Sequence, residues 1–410
     1  MPSVCLYFKV HQPYSLKRFS SKEVGLCNCY EDTASDEAAI NNLADVCYLP
    51  ANKIILSAIE RSNGAFKINF SLSGVLLDLL EKYRPDVLDS FRDLIDTGCV
   101  EILAETYYHS LSFLYSKKEF SRQIEKHSAV VEQLFDVKPQ VFRNTELIYN
   151  NQLAEHVATL GYKGILCEGI ERLLQGKTAN KIYSAPGIEN FGLLLRNASL
   201  SDDISFRFDD ASWDKHPLTA DKFAEWIHTH PNDTDIINLF MDFETFGIHK
   251  KAGTGIFDFL EALPGEVLKY NNTNFTTASA ALDSFTPHDI YDIPKTISWE
   301  DKTKECCVWC DNMMQNNTLK KIYSLEKMVH YANDAHLFEI WGRLQAADYF
   351  YYMAHKTCKG DHQHYENPFE TPGKVFQYYT NIVTDFEISL IKKALEDKEF
   401  VSYSSVGTLY

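Results

Sequence analysis

No stretch of this 410-residue chain stays apolar for the ~18 residues that a membrane span needs. Neither a Gly-x-Gly-x-x-Gly nor a Walker nor a Gly-x-Ser-x-Gly pattern occurs, so dinucleotide, nucleoside-triphosphate and serine-hydrolase chemistries have no anchor here. Positive charge is in deficit, with 40 Lys and Arg against 57 Asp and Glu and a net charge of −17. That balance argues against nucleic acid and anionic membrane surfaces, both of which favour basic patches. The ten cysteines do not supply the two C-x-x-C pairs of a structural zinc site. The start, Met-Pro-Ser-Val-Cys-Leu-Tyr-Phe, lacks a basic segment followed by a long apolar run, so the expectation is a cytoplasmic protein with reduced thiols. Internal repeats, low-complexity tracts and long linkers are absent.

What is present is core material: 45% hydrophobic residues and an aromatic content of 13%. Short apolar runs at 4–10, 67–72, 100–103, 141–145, 164–167, 193–196 and 236–241 read as strands, and amphipathic helical patterns such as 75–84 and 87–96 lie between them. Alternation of strand and helix predicts a parallel sheet with right-handed crossovers. Seven strands with polar residues at their ends favour a barrel over an open sheet. Beyond about Thr286 the strand signals vanish, and helical runs are expected at 305–315, 323–332, 338–355 and 373–395. The expectation is therefore a (β/α) barrel over 1–286 and a helical bundle over 287–410, packed on the barrel.

Two acids stand at strand ends. Asp242 follows the run Ile236-Ile-Asn-Leu-Phe-Met241 and opens Asp242-Phe-Glu-Thr-Phe-Gly247, while Glu146 closes Val141-Phe-Arg-Asn-Thr-Glu146. Each could simply cap the helix that follows. Delivered together into one cleft, they are the minimal equipment for glycosidic cleavage, one carboxylate as nucleophile and one carboxyl as acid and then base. Arg143 could help to ionise Glu146, but in an extended strand positions 143 and 146 face opposite sides. His11-Gln-Pro13 ends the first run, and the third carries Glu101 and continues through Glu105 to His109 and Ser110. These groups could bind sugar hydroxyls or be satisfied within the protein. Trp213 and Trp309 could stack on sugar faces or fill a core.

Five patterns occur in one order: His11-Gln-Pro13, Gly98-Cys-Val-Glu101, Arg143-Asn-Thr-Glu146, Asp242-Phe-Glu-Thr-Phe-Gly247 and Leu344-Gln-Ala-Ala-Asp348-Tyr-Phe-Tyr351. With them the chain resembles the family 57 glycoside hydrolases, and within these the α-amylase group, from about residue 1 to residue 390. The resemblance implies an α/β fold, an incomplete seven-stranded (β/α) barrel with a C-terminal helical bundle that completes the active site. It implies a retaining mechanism on α-linked glucans without metal or other cofactor, with Glu146 as nucleophile and Asp242 as general acid and base. By the same resemblance His11, Glu101, His109, Asp203, Arg207, Glu244, Trp309 and Asp348 are substrate-binding. Glucan transfer with the same pair, and a non-catalytic glucan-binding protein, remain alternatives. Trp309-Cys-Asp-Asn312 departs from the group's usual Trp-Leu-Gly-Asn, which bears on chain-length preference. Asp361-His362-Gln-His364 has the look of a metal trio but matches a loop of the amylase group.

Overall fold

A computed structural model describes residues 2–26, 29–231, 233–300, 304–355 and 367–406. Cys27 and the Asp361–His364 trio lie outside the described residues. The chain forms two compact units, one of Met1–Gln12, Glu37–Tyr107 and Ser121–Cys306, the other of Pro13–Asp36, Tyr108–Phe120 and Cys307–Tyr410.

Ten strands lie among the described residues of the first unit: β1 (Ser3–Val10), β2 (Ile68–Leu72), β3 (Val100–Ile102), β4 (Val141–Arg143), β5 (Gly164–Glu168), β6 (Ile182–Ser184), β7 (Gly192–Arg196), β8 (Ile236–Asp242), β9 (Asn274–Phe275) and β10 (Asp289–Ile290). Seven of them, β1 to β5 with β7 and β8, run parallel, and helices connect them. This is the expected incomplete (β/α) barrel. Two seams are thin. β3 and β4 meet through the single bridge Ala104↔Phe142, and β7 meets β8 through Arg196↔Asn238. The short β6, β9 and β10 were not legible as strands, and β6 pairs antiparallel with β7. Two or three residues carry too little periodicity to register.

Every residue of β1 is buried, as a strand between helices and barrel interior must be. Phe8 and Phe70 stack outward among Phe243, Phe246 and Phe91, the last on the helix Pro85–Asp96. Alternate residues turn inward. Cys5, Tyr7, Val141, Leu166, Leu194, Ile236 and Phe240 form one apolar cluster, capped by Ala278 and Ala281 and by Trp299. The Ala278–Ser284 helix plugs the end where the strands begin. Gly164 and Gly192, register partners on β5 and β7, make the space for its Leu282: a Cβ on either would lie 2.6 or 2.3 Å from a Leu282 methyl.

In the second unit the expected 338–355 helix is two helices, Ala335–Arg343 and Ala347–Tyr352. The break forms because Ala346 is extended and the Ala347 N–H turns to the His109 carbonyl at 2.9 Å. The expected 305–315 helix is interrupted as well. Asn312 caps the Met313–Ser324 helix in a reciprocal box with Gln315, so the chain restarts there. Among the described residues, no helix is long and apolar enough to cross a membrane.

Candidate active site

The barrel strands end on charge. Arg143, Glu168, Arg196 and Asp242 are the last residues of β4, β5, β7 and β8, Lys9 is the last but one of β1, and all five are buried. Register sets Lys9 opposite Asp242 and Glu168 opposite Arg196. The Lys9 ammonium lies 2.9 Å from Asp242 Oδ1 and 3.2 Å from Glu146 Oε1. Arg196 reaches Glu168 at 3.4 Å, donates Nε to the Phe240 carbonyl at 2.8 Å, and meets Asp202 at 2.5 Å. The Arg143 guanidinium is fully buried 3.9 Å from Glu105, and none of its nitrogens has a hydrogen-bond acceptor among the described residues. Such a group retains its full donor capacity for water or ligand.

Glu146 reaches this layer through its backbone. The strand expected over 141–145 stops at Arg143, and Thr145–Leu147 form a 3-10 turn in which Glu146 has φ 54° and Leu147 φ 48°. Left-handed backbone at a non-glycine residue costs on the order of 1 kcal/mol or more and needs support from its surroundings. Asn144 supplies part of it, donating its amide to the Ile148 carbonyl at 2.9 Å. Trp299 supplies the rest: its Nε1–H donates to Glu146 Oε2 at 2.8 Å, beside the Tyr149↔Ile297 bridge. The turn overrides the alternation that would set residues 143 and 146 on opposite faces. Both now serve one layer, and the Glu146 charge acts on Arg143.

Trp299 roofs that layer. Its ring lies 5.5 Å from Lys9 Nζ, 5.6 Å from Arg143 Cζ and 5.5 Å from Arg196 Cζ, so one indole ring is within cation–π reach of three cations. Next to it Glu300 is half-buried, and desolvation, then the charges of Glu146 and Asp242, push its carboxyl well above the usual range.

After Asp242 the chain turns into a 3-10 segment, Phe243–Thr245, so strand alternation does not continue to Glu244. Glu244 instead accepts the Tyr48 hydroxyl at 2.7 Å. Burial, and then the Asp242 charge, push Glu244 up to about 7. Burial lowers His249, opposed by Asp242. Gly247 allows the return of this loop, since with φ 105° a Cβ there would lie 2.1 Å from the Val46 carbonyl oxygen.

The model of glycosyl hydrolase family 57 matches residues 5–294. This chain belongs to glycosyl hydrolase family 57. It is a glycoside hydrolase. A protein of Methanocaldococcus jannaschii named "Putative alpha-amylase" is 38% identical to it over 406 residues, 96% of this chain and 85% of that protein. The fold is shared with a family 57 branching enzyme of Thermococcus kodakaraensis, at TM-score 0.67 and 16% identity over 100% of this chain and 92% of that one. It is also shared with the 4-alpha-glucanotransferase of Thermococcus litoralis, at TM-score 0.62 and 16% identity; there 85% of this chain covers 56% of the larger one.

The remaining family 57 motif residues are placed unequally. His11, just past β1, shares a 2.6 Å hydrogen bond between Nδ1 and the Ser73 hydroxyl, on the N-cap of the Gly74–Tyr83 helix. Glu101 is not with Glu146 and Asp242. It pairs with Asn69 in the middle of the sheet, and its Oε2 accepts the Ser279 N–H and hydroxyl, both at 2.9 Å, at the start of the plug helix. The strand points this carboxyl to the end opposite the charged layer, which corrects its expected place at the sugar site. Asp203 and Arg207 form an i,i+4 ion pair, and Arg207 lies 5.9 Å over the Trp213 ring. Trp213 in turn meets Trp226 edge-on at 6.0 Å.

In the second unit, His109 is buried with φ 51° and its carbonyl receives the Ala347 N–H, one residue before Asp348. Trp309 is only 1% exposed and packs on Tyr351 at 6.1 Å, which is a core role instead of a stacking platform. Asp311, in place of the group's usual glycine, is exposed, and its N–H bonds the Gln315 side chain at 3.2 Å. Among the described residues, no group of three or more His, Cys, Asp or Glu is placed to hold a metal ion. Lys9, Glu168, Arg196 and Trp299 went unread in the sequence, although Glu168 and Arg196 end apolar runs and Lys9 is a charge one residue short of the end of another.

Proposed function

We propose that this family 57 chain is a retaining glycosidase of α-1,4-glucans such as maltodextrin, starch or glycogen-like chains. Glu146 attacks the anomeric carbon to form a covalent glucosyl-enzyme, and Asp242 first protonates the leaving oxygen and then activates water. The observation that carries this reading is the Lys9 ammonium held between the two acids. At 3.2 Å from Glu146 Oε1 and 2.9 Å from Asp242 Oδ1, it limits the separation of those oxygens to about 6 Å, the two lengths end to end. Retention calls for carboxyl groups about 5–5.5 Å apart, whereas inversion leaves room for a water at roughly 6.5–9.5 Å. The bound therefore supports direct attack. The choice of α-glucan follows the relative of 38% identity that is named for that activity. His109 and Asp348 enter this reading through the motif resemblance alone, and Glu101 leaves it.

Hydrolysis and glucan transfer use the same pair and differ in the acceptor that reaches the glucosyl-enzyme, water or a sugar hydroxyl. Incubation with maltoheptaose and soluble starch, followed by oligosaccharide sizing and NMR of the first-formed anomer, tests the proposal. Shorter products of α configuration are expected, and oligomers longer than seven units formed from maltoheptaose alone would assign transfer. A first-formed β anomer would reject retention. Glucan left unchanged by the intact protein would reject an active α-glucan enzyme.

A further inference from the structure

Lys9 lies on β1, between β2 and β8, and is 1% exposed. A buried ammonium is costly unless paired, and this one touches two carboxylates at once. Sheet register delivers the Asp242 contact, and the left-handed turn at Glu146 delivers the other.

We infer that Lys9 is a positioning residue that compensates the single negative charge of the catalytic pair wherever it resides during turnover. The inference rests on the assignment of Glu146 and Asp242 made above. In the first step a Glu146 oxygen bonds to the anomeric carbon while the glycosidic C–O bond breaks. The electron pair of that bond leaves on the oxygen, which takes the proton from Asp242. One negative charge is present before the step, on Glu146, and one after it, on Asp242. In the second step Asp242 takes a proton from water, the water oxygen bonds to the anomeric carbon, and the ester bond breaks to return the charge to Glu146. A cation in contact with both positions balances either state without moving, which removes reorganisation from the barrier.

Further charged groups surround Lys9 and the pair. Burial disfavours its charge, but Asp242 and then Glu146 outweigh that, so its proton affinity is raised. Two neighbouring acids are pushed towards neutrality, first by burial and then by charge: Glu244, beside Asp242, up to about 7, and Glu300, beside Glu146 and Asp242, well above the usual carboxylate range. Arg143 on β4 and Arg196 on β7 are further cations: Arg143 lies near Glu105 and also feels Glu146 and Asp242, and Arg196 pairs with Glu168 and Asp202 and also feels Asp242. His249 is disfavoured as a cation by burial, and His11, next along β1, bonds Ser73.

The test uses the full-length protein and kcat/KM against pH on maltoheptaose. Lys9→Gln keeps a donor without charge, and Lys9→Arg keeps charge with altered shape. An opposite charge lowers a carboxyl pKa by about 1–3 units, so in Lys9→Gln both limbs of the profile should move upward by at least about one unit. At neutral pH kcat/KM should fall about 10²–10³-fold, the usual effect of losing one aimed electrostatic group. Lys9→Arg should keep both limbs at their wild-type positions, whatever its rate. A Lys9→Gln profile with unmoved limbs overturns the inference, as does a Lys9→Arg profile with displaced limbs, and the second decides alone should Lys9→Gln not fold. Glu146→Gln, run in parallel, separates the premises: turnover above about a hundredth of wild type would overturn the assignment of the pair, not the role of Lys9.

Discussion

Trp299 and Glu146 are joined twice, by the indole N–H on Oε2 at 2.8 Å and by the Trp299 backbone N–H on the Glu146 carbonyl at 3.4 Å. The first bond aims the carboxylate, and the second steadies the left-handed turn that presents it. Trp299→Phe keeps the ring over Lys9, Arg143 and Arg196 but deletes the donor. A hydrogen bond to a charged group is worth about 1.5–3 kcal/mol, so kcat/KM should fall by about 10- to 100-fold with little loss of thermal stability. Initial rates together with a melting curve check this, and an unchanged kcat/KM would leave Trp299 a packing residue only.

The division of labour between the acids can be read from azide. Asp242→Ala should still glycosylate itself with a substrate bearing a good leaving group, because departure then needs no protonation. Azide should release that sugar with retained configuration. Rescue of a Glu146 variant with retention would reverse the two roles.

Glu101 separates stability from catalysis. Its carboxylate serves the Ser279 N–H and hydroxyl at the start of the plug helix. Glu101→Ala should cost about 1–3 kcal/mol in chemical denaturation, as a lost buried partner does, while kcat and KM stay within about twofold. A large fall in kcat at unchanged stability would return Glu101 to the substrate site.

Glu244 makes stability depend on pH. Burial, and then Asp242, raise its folded-state pKa from 4.5 to about 7. Between those values the folded state holds a proton that the unfolded state has lost, so this group's contribution weakens as pH rises and is lowest above about 7. Glu244→Gln cannot lose that proton. Its unfolding free energy should therefore gain on wild type between pH 5 and pH 8, by up to roughly 3 kcal/mol. Urea melts at both values measure the difference, and parallel pH slopes in the two proteins would contradict the assignment.

Much of this was legible in the chain itself. Each of the seven parallel strands announces itself as an apolar run, because a strand covered on both faces has few polar positions. Asp242 and Glu146 were legible as acids at strand ends, and Glu168 and Arg196 carry the same signal, a charge closing an apolar run, while Lys9 interrupts one just before its end. Trp299 carries no such signal. Nothing local distinguishes a tryptophan that roofs three cations from one that fills a core, and Trp309, which looked equally available, is the one that fills a core.

The sequence by itself determined the alternation of strands and helices, the two acids and the family to which they point, since these depend on side-chain periodicity and residue type. The tertiary structure decided which groups meet. Register between β1 and β8 put Lys9 opposite Asp242, across more than two hundred positions of chain. A left-handed backbone at Glu146, held by Trp299, turned its carboxylate into the same layer. The direction of β3 sent Glu101 to the plug helix, and the two compact units drew on interleaved segments of the chain. Hydrogen-bond register and backbone dihedrals act over distances and angles that no linear pattern encodes, which is why the constellation of charges emerged only from the fold.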